Sequence, residues 1–216
     1  MWTFLVDNAG LLLQKTGEHF LISAIALGLG AAVAIPLGMF LTQFRRFSGP
    51  IIGFASILQT IPSLALLALM IPLFGVGRVP AIVALFIYSL LPILRNTFLG
   101  LNSVSPNIVD AARGMGLTRH QRMVRVRLPL AAPVIMSGVR LSGIYVIAWA
   151  ALASYIGAGG LGDFIFTGLN VYNKNMIILG TIPVTLLALL ADVLLGLLEK
   201  AVTPRTRSRV EKEAAS

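Results

Sequence analysis

Long apolar runs alternate with short polar ones along the chain. From Phe20 to Phe44 the only polar side chains are Ser23, Thr42 and Gln43, a run longer than the roughly 20 residues a helix needs to cross hydrocarbon. Further runs lie between Pro50 and Phe74, Val79 and Leu94, Leu130 and Tyr155, and Met176 and Leu198. The pattern predicts an all-α integral membrane protein with five transmembrane helices, at about 20–44, 50–74, 79–94, 130–155 and 176–198. The third run is short for a crossing. Its helix is expected to continue past Arg95, whose side chain can snorkel to the headgroups.

The polar stretches fill in the organisation. Residues 1–19 carry Asp7, Asn8, Lys15, Glu18 and His19, without a basic leader or a small-residue cleavage site, so no signal peptide is read. They are expected to form an extracytoplasmic segment, a short amphipathic helix at the interface. Small residues crowd the first span, from Ala24 through Gly30 to Gly38, and suit close helix packing within the chain or across a dimer. Pro62 and Pro72 interrupt the second. Gln59, Thr60, Pro62 and Ser63 therefore mark either the wall of a solute path or a proline kink whose polar neighbours bond to the backbone. Gly157 to Gly162 spells GxGxxG, but it follows a membrane run and lacks a βαβ pattern, so it reads as a flexible outer turn and not a dinucleotide site. Residues 199–216 read as a mobile basic tail.

Composition agrees with this picture. The 216 residues are 57% hydrophobic and only 12% charged, with mean hydropathy +0.90, which excludes an ordinary soluble domain. The net charge of +9 would suggest nucleic acid in a soluble protein. Here the basic residues sit between apolar runs and read as topology and headgroup contacts. Arg45, Arg46, the six arginines from Arg95 to Arg127, and Lys200, Arg205, Arg207, Arg209 and Lys212 fall on one side. Lys15, Arg78 and Lys174 fall on the other. Thirteen against three predicts the first set in the cytoplasm, the amino terminus outside and the carboxyl terminus inside.

Catalytic and metal chemistry find no footing. Cysteine is absent, and His19 and His120 are too far apart in sequence to form a ligand pattern; each reads as polar surface. The eight acids form no paired acid/base arrangement, and there is no GxxxxGK[ST] phosphate loop, so ATP hydrolysis is not expected of this chain. Arg140 and Asp192 fall inside the fourth and fifth spans at similar depth. Unpaired charges there are costly, which points to an intramembrane ion pair, with separate snorkelling as the alternative.

The polar loop 95–129 is the most specific feature. Pro106 opens a helical segment, Asn107 to Leu117, with Asp110 expected in its first turn; Gly114 and Gly116 permit a bend; Thr118 and Gln121 fit a capping box on a second short helix. Asp110-Ala111-Ala112, three residues, Gly116, nine residues, then Val126-Arg127-Leu128-Pro129 resembles the EAA loop of permease subunits of binding-protein-dependent ABC importers. Asp for Glu and Val for Ile are mild departures. Gln59 to Thr97 and Ala153 to Asn170 resemble the osmoprotectant branch, which serves glycine betaine, carnitine or choline.

The resemblance implies the MetI-like ABC permease fold, with 20–198 as the transmembrane domain and loop 95–129 as the coupling element. It makes Asp110, Ala111, Ala112, Gly116, Leu128 and Pro129 the contacts to an ATPase. Implied partners are cytoplasmic ATP-binding subunits that hold ATP and Mg, a second permease copy or paralogue, and an extracytoplasmic substrate-binding protein, in a bacterial inner membrane whose lipid surrounds the chain. The chain itself needs no cofactor. The resemblance also implies that affinity for a quaternary ammonium solute resides mostly in an aromatic cage on the binding protein, and no aromatic cluster within the spans suggests such a cage here. The rival readings are an importer for a methionine- or taurine-like solute, and a self-contained channel or secondary transporter.

Overall fold

In a computed structural model that describes residues 2–203, helices follow one another from α1 onward, with no strand among the described residues. α1 runs unbroken from Trp2 to Gln43, 42 residues, or about 63 Å at 1.5 Å per residue, twice the thickness of hydrocarbon. Residues 2–19 are therefore the N-terminal part of the first spanning helix and not a separate interfacial one. The polar residues that suggested a boundary do not break the helix. Asn8 and Thr16 donate to the carbonyls of Phe4 and Leu12 one turn back, and Lys15 and Glu18 join an ion-pair network.

After a 3-10 turn at Arg45–Phe47, the second run, 50–74, is divided into α2 (Ser48–Thr60) and α3 (Ser63–Phe74), interrupted at Pro62 as its sequence predicts but continuous through Pro72. They meet at Ile61-Pro62 with a bend of 98°. Proline removes a donor and clashes with the preceding turn, so the helix stops there. Gly75 and Gly77, at φ +78° and +114°, make the turn into α4 (Arg78–Asn102), which does continue beyond Arg95.

α1 and α4 run parallel. Gly30 lies against Ser89, and Gly38 against Thr97; at one end Arg78 pairs with Glu18, and at the other Arg45 donates to Asn102. The bent α2–α3 pair between them thus returns the chain from one face to the other and counts as one crossing. The i, i+4 row Ala26, Gly30, Ala34, Gly38 packs on α4, with both alanines wholly buried. This row of the small-residue face serves packing within the chain.

Beyond α4 come α5 (Pro106–Gly114) and α6 (Arg119–Arg122), then a π turn at Met123–Arg127 and α7 (Leu128–Ala150). The non-helical part of the loop is much shorter than 95–129, because α4 extends into it and α6 runs through the π turn into α7. A 3-10 turn at Ala151–Ile156 leads to α8 (Gly162–Asn170) and α9 (Lys174–Val202). α9 takes in residues 199–202 of the expected tail; residues 204–216 lie outside the described residues. α1, α4, α7 and α9 are each long and apolar enough to cross a membrane, and the bent pair makes a fifth. On α9, Leu186, Leu189, Leu190, Val193 and Leu197 all stay more than half exposed, the surface of a helix that faces lipid or another subunit.

Candidate functional site

Four groups of polar residues interrupt the apolar bundle, and each is placed by the helices just described. The first is the α5–α6 knob. Pro106 occupies the first turn of α5, where its missing N–H costs nothing. Asp110 falls in the second turn and not the first, because the helix begins at Pro106. At the other end the Leu117 N–H reaches the Ala112 carbonyl at 3.2 Å and the Gly116 N–H reaches Arg113 at 3.0 Å. These are the two bonds of a Schellman cap, and they require a left-handed residue at Gly116, which has φ +80°. Thr118 and Gln121 then close a reciprocal capping box that starts α6.

Asp110, Ala111 and Gly116 lie exposed on this knob, as does Pro129 at the start of α7. Ala112 is 2% exposed, so its small side chain lets α5 sit down on the protein's own surface and is not open to a partner. Leu128 is half-buried. Its N–H reaches back five residues to Met123, and Pro129, with no N–H to give, follows at once. A π turn here absorbs the extra residue before the proline.

The second group is the α2–α3 break. The Gln59 amide donates to the Tyr88 carbonyl at 3.4 Å, the Thr60 hydroxyl to Ile57 at 2.7 Å, and the Tyr88 hydroxyl to Ile61 at 2.5 Å. The freed backbone is thus satisfied by neighbours. Thr60 and Pro62 remain exposed, with Gln59 and Ser63 half-buried. Against this break stands an aromatic stack that the separate spans do not reveal: Tyr88 and Trp149 have ring centroids 4.6 Å apart, and Trp149 and Tyr145 5.3 Å. Tyr145 and Trp149 are one helical turn apart on α7, but Tyr88 comes from α4, and only the α4–α7 contact brings the three together. The spans therefore do hold an aromatic cluster, contrary to the expectation from the sequence.

Third, Arg140 on α7 and Asp192 on α9 meet, both half-buried, where the two helices touch. The guanidinium donates to both carboxylate oxygens, at 2.5 and 2.9 Å, and more weakly to Glu199 at 3.5 Å. Glu199 was not singled out by the sequence, although its i+7 spacing from Asp192 puts it on the same face of α9.

The fourth group joins three segments at the opposite face. Glu18 accepts from Lys15 at 3.2 Å, Arg78 at 2.8 Å and the Gly160 N–H at 3.2 Å, and Lys15 also donates to Asp163 at 2.6 Å. Beneath it His19 is fully buried, with Nε2 2.9 Å from the Ile147 carbonyl, and not on the surface as its place in the sequence suggested. Gly160 makes room for it: a Cβ there would lie 3.2 Å from the imidazole. The glycine stretch is not a flexible turn either. A Cβ on Gly162 would overlap the Ala151 carbonyl, and one on Gly168 would press on Ile177, so these glycines bring α8 into backbone contact with the 3-10 turn that follows α7 and with α9.

No group of three or more metal-binding side chains occurs among the described residues. What the helices build is a multi-pass membrane protein with a polar knob on its arginine-rich face and a broken, aromatic-lined crossing at mid-depth. It belongs to the binding-protein-dependent transport system inner membrane component family, whose model matches residues 34–208. The glycine betaine/carnitine/choline transport system permease protein OpuCB of Bacillus subtilis is 55% identical over 205 residues, 95% of this chain and 94% of that one. The carnitine transport permease protein OpuCB of Listeria monocytogenes is 55% identical over 203 residues, 94% and 93% of the two chains. Among solved structures, an inward-facing form of the MetNI methionine ABC transporter superposes with TM-score 0.83 at 23% identity, over 92% of this chain and 99% of that one. The fold is thus the MetI-like permease fold.

Proposed function

We propose that this chain is the membrane-crossing permease subunit of an ATP-driven importer for quaternary ammonium osmoprotectants such as glycine betaine, carnitine or choline. The reading is carried by identity of more than half, across nearly the whole length, to permeases that bear those names. The chain works beside cytoplasmic ATP-binding subunits, which hold ATP and Mg; a second permease copy or paralogue; and an extracytoplasmic binding protein. It is itself non-catalytic. The excess of Lys and Arg assigns the knob face to the cytoplasm of a bacterial inner membrane, with the amino terminus outside and the carboxyl terminus inside. The exposed Asp110, Ala111, Gly116 and Pro129 are the surface offered to the ATPase.

The solute path is assigned to the face carrying the α2–α3 break. An interrupted helix with exposed polar residues is tolerated at membrane depth only inside protein or along water. Tyr145, 40% exposed, presents an aromatic ring beside that face. A trimethylammonium group is attracted to such a ring by about 0.5–2 kcal/mol, the larger value when desolvated. Leucine at Tyr145 is expected to lower uptake of all three solutes by roughly three- to tenfold in kcat/KM, whereas phenylalanine retains it. Equal uptake by the leucine variant and the wild type would remove Tyr145 from the path.

The reading as a whole is tested by uptake of labelled glycine betaine, choline and carnitine after osmotic upshift, in cells with and without this chain. Loss of uptake on deletion, with an ATPase subunit recovered when the chain is purified, is expected. Unchanged uptake of all three would overturn the substrate assignment, and absence of any ATPase subunit would overturn the class.

A further inference from the structure

Arg45, Arg119, Arg122 and Arg127 line one cavity of ≈ 410 Å³ on the knob face, closed by Thr42 and Gln43 at the end of α1. Three of the four donate to neutral oxygens: Arg45 to the Asn102 side chain at 2.9 Å, Arg119 to the Gln43 carbonyl at 3.3 Å, and Arg122 to the Leu117 carbonyl at 2.8 Å. Arg127 makes no side-chain hydrogen bond among the described residues, and no described carboxylate comes within 4.0 Å of any of the four. A guanidinium offers five N–H donors in a fixed fork. Three bonds leave most of those donors unengaged, while four like charges around one cavity repel one another. The ligand that answers both conditions is an anion with several oxygens, and the planar fork of arginine matches phosphate best.

We propose that this cavity seats a phosphate group, supplied by the headgroup of an anionic phospholipid or by free phosphate. Two further features favour the lipid. The exposed rings of Phe44 and Phe47 flank Arg45, with the Arg46 guanidinium 4.8 Å from the centre of the Phe47 ring, basic groups beside apolar rings as in segments that lie at a membrane interface. Arg45 also lines a second cavity of ≈ 300 Å³ with Ser48, Phe98 and Asn102, which carries the site onto α2 and α4, where the glycerol and upper acyl chain of a lipid would lie. A phosphate held here would tie the end of α1 to α6 and to the start of α7, and so set where the knob stands relative to the bundle. The proposal is independent of which solute is carried.

The test is native mass spectrometry and thermal unfolding of the transporter, purified in detergent with whatever subunits accompany it. Phosphatidylglycerol, phosphatidylcholine and inorganic phosphate are added separately. Wild type is expected to retain phosphatidylglycerol at least roughly tenfold better than phosphatidylcholine, a preference lost in an Arg119→Gln, Arg127→Gln double variant and kept in Arg46→Gln. Should the double variant not assemble, Arg127→Gln alone carries the test, since no described side-chain bond is lost. Stabilisation by millimolar inorganic phosphate equal to that by the lipid would make free phosphate the source. The proposal fails if wild type and variants retain both lipids alike and phosphate stabilises neither. It fails equally if the double variant sheds its ATPase subunits with lipid retention unchanged, for the arginines would then be gripping a partner's carboxylates.

Discussion

Valine at Gly116 is expected to cut ATP-driven uptake by more than roughly tenfold, while alanine at Gly114, two residues earlier, leaves it intact. The two glycines are alike in space: a Cβ on either meets nothing within 4 Å. They differ in backbone. Gly114 closes α5, and alanine there would gain up to about 1 kcal/mol of helix propensity. Gly116 holds φ +80°, which costs an L-residue about 1–2 kcal/mol, and a β-branched side chain there is a genuine outlier. To relieve the strain the chain must give up the Leu117 to Ala112 and Gly116 to Arg113 bonds, and α6 then leaves α5 in a new direction. The knob would no longer match whatever docks on it, although the spanning helices insert as before. Uptake by purified, reconstituted transporter compares the two variants directly. Equal behaviour of both would show that the turn transmits nothing.

That pair of glycines also illustrates what could be read from the residues alone. Spacing from Asp110 to Pro129 located the knob, its glycine bend and the Thr118–Gln121 box, because capping is local chemistry between residues three to five apart. Length and hydropathy found all five crossings for the same reason. What escaped was whatever depends on which helices touch. Ala112 looked like a contact and is buried. His19 looked like surface and is covered by Gly160, 141 positions away in the chain. Tyr88 reaches Trp149 only because small residues such as Gly138 let α4 and α7 approach until a Cβ there would lie 2.9 Å from the Pro92 carbonyl. The end of the first polar segment was misplaced because a helix tolerates Lys15 and Glu18 when a partner turn satisfies them.

Reversing the charge of Arg140 alone is expected to reduce the protein accumulated in the membrane by at least roughly tenfold, and reversing Asp192 alone to do nearly the same. At 1.5 Å per residue, Arg140 lies about 18 Å along α7 from Leu128, and Asp192 about 15 Å along α9 from Val202 at its end. Both stand too far in for easy snorkelling, and Arg140 is held by two charge-assisted bonds to one carboxylate. Arg140→Glu would set three acids, at 140, 192 and 199, against one another across the α7–α9 contact. Asp192→Arg would leave two guanidiniums with Glu199 alone between them. Combining Arg140→Glu with Asp192→Arg restores opposite charges on the two helices, and Glu199 then faces the relocated arginine on its own helix, two turns away. The double reversal is therefore expected to recover most of the accumulated protein. Gly196 supplies a steric control: it lies under the guanidinium, where a Cβ would come 3.3 Å from Cζ. Gly196→Val should weaken the pair by pushing the fork off Asp192 without changing any charge, and so fall between wild type and the single reversals. Immunoblots of membrane fractions give the ordering. If the double reversal accumulates no better than either single one, the pair does not hold α7 to α9, and the two residues act separately.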